Sequence, residues 1–422
     1  MNMDMKITDI LRVTLPALTV ALLTGLSSCQ QQRPSSAPEG AIIFGSPSVY
    51  ISGSTRSTQI SGELRDGASF GVFGYCLSNR IGTTGLDNLD PNSGATSWSG
   101  KESMCPPSVF FNQKVTVRAG GCDYTYSGSD NDGNQYRSWY RDGRGLDGNV
   151  NKNIHETDRF RYSFFAYYPY DNDTYDAAGF DVINLGSPDD FGAPSFRYTM
   201  PFSDGDVSTE LDHMKTPDAM LAVLYNRYSS EGNLQFTFSH LLTALGVEVN
   251  NFSDHRLTIH SITLSGTFYR TMYVDLSGQN VRFTSPGTDV YKGHYVFLDQ
   301  SDYPDAEGIV LEPVEDEFSA TSWNIGPEDY LLLISGDGGS GGNYLGPNPD
   351  DLHMNISYSF DDGGENPRDA SFTRPTSFTP SPGTRYTAQL NFVGDEFVLL
   401  FAVDNNGEWW LGNENDDDVI FE

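Results

Sequence analysis

Between residues 160 and 168 the apolar side chains fall on every second position: Phe160, Tyr162, Phe164, Ala166 and Tyr168, with Pro169 directly after them. Successive side chains of an extended chain point to opposite faces, so this spacing puts all five on one face of a β-strand. Pro169 has no N–H to give to a ladder and ends the strand. Strand-sized runs recur at Lys114–Arg118, Met220–Tyr225, Leu234–Phe238, Leu257–Leu264, His294–Leu298, Tyr330–Ile334, Tyr386–Phe392 and Phe397–Val403. Between them lie Gly/Asp/Asn/Pro clusters at Ser127–Asn134, Tyr170–Asp181 and Ser335–Asp351, which have the chemistry of exposed turns. With 43 Gly, 22 Pro and no long Ala/Leu/Glu/Lys run, the chain reads as all-β. The one helical turn expected is at His240–Leu245, between two strands.

Many strands with almost no helix imply β-sandwiches, and 422 residues exceed the usual size of one. The acidic, apolar-poor stretch Pro201–Thr216 sets a boundary near residue 205. The expected organisation is an N-terminal β-sandwich over 41–205 and a C-terminal one over 206–422, without an internal repeat.

Charge restricts the partners. Acidic residues number 57 against 25 basic ones, a formal net charge of −32, and no dense Lys/Arg block interrupts that field. Nucleic acid and anionic headgroups would be repelled. An aromatic content of 13% is too high for a disordered acidic chain.

The N-terminus states a destination. After Lys6 and Arg12, the apolar run Val13–Leu26 is too short for a stable membrane span and reads as the core of a secretory signal. It ends in Leu26-Ser27-Ser28-Cys29, which resembles the bacterial lipobox, whose cysteine receives the lipid. The expectation is a lipoprotein signal peptide over 1–28 and lipid attachment at Cys29; the alternative is an ordinary signal peptide with an incidental cysteine. Residues 29–40, polar and Pro/Ser-rich, read as a tether. Gln30-Gln31-Gln32-Arg33 lacks an acidic cluster, and leaflet orientation stays open. Cys76, Cys105 and Cys122 remain, enough for one pair and one odd thiol. Cys105 and Cys122 bracket the Lys114–Arg118 strand; a bridge there would stabilise the fold by about 3 kcal/mol on the loop-entropy account. That pairing and free thiols are both open.

Catalytic motifs fail on their context. His240, between Phe238 and Leu241, reads as a packed residue bonded to backbone at a strand end, and no H-E-x-x-H or C-x-x-C occurs, so neither a metal nor a cofactor is expected. Gly338-Gly339-Ser340-Gly341-Gly342 fits G-x-S-x-G, but the Pro- and Gly-rich segment after it cannot supply the helix a nucleophile elbow needs. Asp130–Asn134 has oxygen ligands around Gly133, yet aligning that glycine puts Trp139 where an EF-hand needs its bidentate Glu. Trp409-Trp410 and Tyr162–Tyr170 offer aromatic platforms for a glycan, against the reading that alternating aromatics are core.

Taken in order, several segments resemble the fimbrillin family of Bacteroidales type V pilus subunits. They are Ile42-Ile43-Phe44 with Thr55-Arg56, then Gly67–Tyr75, Tyr162–Pro169, Tyr198-Thr199-Met200-Pro201 and Asp218–Ala222. Phe236–Leu245 running into Val247-Glu248-Val249 follows, then Ile259–Gly266, Pro382-Gly383 before Tyr386, Trp409-Trp410 and Val419–Glu422. The resemblance implies two tandem transthyretin-like or immunoglobulin-like β-sandwich domains in a lipid-anchored, non-enzymatic, adhesive pilus subunit. It implies a trypsin-like cut after an arginine, removal of the first strand, and refilling of the groove by a strand of the next subunit. Arg56 suits that cut better than Arg65, because Gly53–Thr58 is small and polar whereas Arg65 has acidic neighbours. Anchor and tip members use part of this cycle, in which case Arg56 is an uncut loop residue. The implied partners are other pilus subunits, the outer membrane and a host receptor or glycan. The alternative is a monomeric outer-membrane surface lipoprotein that binds a glycan or host protein.

Overall fold

The structure is a computed structural model. It describes residues 37, 41–49, 62–78, 106–126, 135–139, 160–170, 179–182, 185, 187, 190, 192–200, 218–227, 232–276, 282–284, 288–302, 308–314, 319–325, 330–336, 344–360, 368–373, 378–394 and 396–403. Strands dominate, and the helices among the described residues are two short 3-10 turns, Gln300–Asp302 and Pro349–Asp351.

Four sheets form. An eight-stranded sheet has the order β2 (Gly62–Glu63), β1 (Ser48–Val49), β10 (Thr237–His240), β9 (Met220–Arg227), β6 (Phe160–Tyr168), β3 (Ser69–Ser78), β4 (Phe110–Arg118), β5 (Gly121–Asp123). A second runs β17 (Thr321–Asn324), β11 (Thr243–Asn251), β21 (Arg385–Val393), β22 (Glu396–Val403), with β18 (Leu331–Leu333) also on β11. A third runs β15 (Val290–Asp299), β12 (Leu257–Tyr269), β19 (His353–Phe360), β20 (Arg368–Thr373), with β16 (Ile309–Leu311) on β12. The fourth is β14 (Arg282–Thr284), β13 (Thr271–Asp275), β8 (Ser195–Thr199), β7 (Gly179–Val182). Pairing is antiparallel except for β1 on β10 and β11 on β21.

The period-two pattern sorts residues between cores. Along β6, Tyr162, Phe164 and Ala166 enter one apolar cluster, while Phe165 and Tyr167 enter another. Tyr162, Phe164 and Ala166 share one face, as the alternation predicts, and the opposite face of β6, which lies between β9 and β3, is covered as well. Its neighbour follows suit, with Phe70 and Val72 on the first side and Phe73 and Tyr75 on the second. Gly71 faces Tyr167 across the ladder, and a Cβ there would lie 2.1 Å from the tyrosine ring, so this position takes no side chain. The second and third sheets enclose their own core, in which β19 alternates half-buried and buried through Met354, Ile356, Tyr358 and Phe360.

The helical turn expected at His240–Leu245 is overturned. β10 ends at His240 and β11 begins at Thr243, and the buried Leu241 and Leu242 between them carry the chain from one sheet to the next. Tertiary burial of the apolar run overrides its local helical spacing. This change of sheet lies downstream of residue 205: β9 and β10 belong to the eight-stranded sheet, and the fourth sheet pairs β8 with β13.

Candidate strand-exchange groove

Ile42, Ile43 and Phe44 are three consecutive apolar residues, and all are buried, at 0%, 3% and 1% exposure. A segment buried this completely must still satisfy its backbone. This one does so on both edges. On one edge, Leu234 N–H donates to the Ile43 carbonyl at 2.8 Å, Gly45 N–H to the Leu234 carbonyl at 2.7 Å and Ser48 N–H to the Phe236 carbonyl at 2.9 Å. On the other, Ile42 N–H donates to the Arg137 carbonyl at 2.8 Å and Cys122 N–H to the Phe44 carbonyl at 3.0 Å. Two side chains add to that edge: Tyr124 Oη–H donates to the Ile42 carbonyl at 2.8 Å and the Cys122 thiol to the Gly45 carbonyl at 3.3 Å. Residues 42–45 thus close the gap between β5, at one end of the eight-stranded order, and the segment that leads into β10.

Apolar contact follows the same line. The Phe44 ring lies 5.5 Å from Phe236, 5.8 Å from both Phe110 and Tyr124, and 6.0 Å from Phe164, centroid to centroid. Further along, β1 pairs parallel with β10, Ser48 facing Thr237 and Val49 facing Phe238, and antiparallel with β2. Burial shapes the polar groups at the seam: it pushes the Tyr124 phenol far above its usual range and, with help from the Asp123 carboxylate, the Cys122 thiol up to about 12. Both stay protonated donors at any physiological pH.

What the arrangement can do follows from what its removal would leave. Without residues 41–49, the groups at Leu234, Phe236, Cys122, Arg137 and Tyr124 would lose their backbone partners, and each buried polar group left so costs about 1–3 kcal/mol. The Phe44 pocket would open as well. Unpaired backbone groups beside an apolar cavity are what the addition of a β-strand satisfies in general.

Cys29, Arg56 and Cys105 lie outside the described residues. Arg56 falls within 50–61, which connects β1 to β2, so a cut after it would leave residues 41–49 held by non-covalent contacts alone. Cys76 and Cys122 are buried, and the Cys122 thiol donates to the Gly45 carbonyl. His240 is buried at the end of β10, and its Nδ1 meets Asp218 Oδ1 at 2.8 Å, a carboxylate partner. Within Tyr162–Tyr170, Tyr162 and Tyr167 are 1% exposed and belong to cores, which removes them from any glycan platform. Gly338–Gly342, Asp130–Asn134 and Trp409-Trp410 lie outside the described residues, and no group of three metal-ligating side chains occurs among those described. The far edge of the groove, Cys122, Tyr124 and Arg137, escaped sequence reasoning. β5 is three residues long and carries no periodic signal.

No protein-family model matches the chain, and no curated protein matches it. Among solved structures, it is similar to a fimbrial protein from Bacteroides vulgatus at 17% identity and a TM-score of 0.51, over 86% of this chain and 99% of that one. A candidate cell adhesion protein from Bacteroides uniformis matches at 12% identity and a TM-score of 0.40, over 88% and 100%. The fimbrial anchor protein Mfa2 from Porphyromonas gingivalis matches at 10% identity and a TM-score of 0.26, over 87% and 97%. The first of these likenesses shows that this chain has the fold of the Bacteroides vulgatus protein.

Proposed function

We propose that this chain is a non-enzymatic structural and adhesive subunit of a surface pilus, exported as a lipoprotein anchored at Cys29 in the outer membrane. A trypsin-like cut after Arg56 frees the first strand, and a strand from another pilus subunit takes its place. The observation that carries this reading is the seam itself: residues 42–45 are bonded along both edges, and the connection that ties them to β2 contains Arg56. The fimbrial fold of the Bacteroides vulgatus protein supports it as well. Treatment of the purified protein with a trypsin-like protease tests it. Ladders that resist SDS are expected after cleavage; a severed chain that stays monomeric would overturn the proposal, and glycan-array binding by such a monomer would favour a surface-receptor role.

A further inference from the structure

The groove is not indifferent to what fills it. Its two edges differ in polarity: the resident strand is parallel to Leu234–Phe238 but antiparallel to Ser138, which pairs with Ala41. Reversing an incoming strand would invert both relations. Spacing adds a second constraint. Phe44 faces Leu234 and Ser48 faces Thr237, so four steps on the resident strand match three on its neighbour, and one extra residue is absorbed around Gly45-Ser46-Pro47. Pro47 brings no N–H that would be left over there. A third constraint is the cavity that Phe44 fills among Phe110, Tyr124, Phe164 and Phe236. It is lined by aromatic rings, so it accepts a flat ring and leaves a void around a small side chain.

We infer that the aromatic cavity of Phe44 is the specificity-determining position of the groove: the strand that replaces residues 41–49 runs parallel to Leu234–Phe238 and inserts an aromatic side chain there, four residues ahead of the position opposite Thr237. This rests on the strand-replacement reading above and names the chemistry of its partner, a peptide segment with an aromatic anchor on its N-terminal side. The reversed segment would carry its aromatic at the other end of its one-residue bulge and would miss the cavity.

The test uses the full chain with residues 53–58 replaced by a site-specific protease sequence, cut and then incubated with excess labelled peptide. Three probes are compared: the chain's own segment 41–49, the same peptide with Phe44→Ala, and the same residues in reversed order. Uptake of the first is expected, with about a hundredfold less of the Phe44→Ala peptide, given what an empty aromatic site costs, and no uptake of the reversed one. Equal uptake of all three overturns the inference and leaves strand replacement standing. Uptake of none by the cut chain overturns strand replacement and the inference with it.

Discussion

Phe44 and Phe236 stack with their ring centroids 5.5 Å apart and their planes 23° from parallel, joining the residues before β1 to those that lead into β10 across 192 positions of sequence. Because both rings are buried in one core cluster, each is worth a large share of the stability of that sandwich. Phe44→Ala should destabilise the fold by about 3–5 kcal/mol. Phe236→Ala should cost a similar amount, and the double variant less than the sum, since each single change already empties the shared contact. Urea unfolding of the four proteins checks this; strict additivity would contradict the contact.

Cys122 reports on the seam. With its thiol pushed up to about 12 by burial and by Asp123, its reactive thiolate is scarce at pH 8. The sign follows: a raised thiol stays neutral as pH rises through the ordinary range and ionises only in strong base. Iodoacetamide at pH 8 should therefore leave Cys122 unlabelled in the intact protein and label it once residues 41–49 have been cut and displaced. Peptide mass mapping reads this directly, and a non-reduced Cys105–Cys122 peptide would establish the alternative pairing instead.

Arg56 is the expected processing point. Surface polymers of the unaltered chain should begin at residue 57 by N-terminal sequencing, and Arg56→Ala should abolish both that terminus and the polymers. Polymers that form normally with a different first residue would end the assignment.

Membrane attachment is expected at Cys29. Cys29→Ala should move the protein from the membrane fraction to the soluble one. Retention of the variant in the membrane, with the signal peptide removed as usual, would rule the lipid site out.

Asp218 and His240 form a buried pair at the ends of neighbouring strands, 2.8 Å apart. Asp218→Ala strips the imidazole of this partner inside the core, and a loss of about 1–3 kcal/mol in chemical denaturation is expected. A loss within a few tenths of a kilocalorie per mole would show that the pair carries little weight.

Alternation and turn chemistry were enough to read an all-β chain, because side-chain direction in a strand is a local property of the backbone. The runs at Phe160–Tyr168, Tyr386–Phe392 and Phe397–Val403 coincide with β6, β21 and β22 to within a residue. Ile42-Ile43-Phe44 stood out in sequence only through a family resemblance, whereas its complete burial is a finding of the structure. Which partners surround a residue is not local. Phe165 and Tyr167 mark the second face of β6 as apolar, but nothing near them in sequence says which residues cover it, and nothing near Leu241-Leu242 says that the chain changes sheet there instead of turning through a helix. The closing of the groove depends on Cys122, Arg137 and Leu234, which lie far from Phe44 and its neighbours in sequence and meet them only in the folded chain. Hydrogen bonds across such sequence distances are decided by how the sheets curl and meet, and that is set by the packing of the whole core.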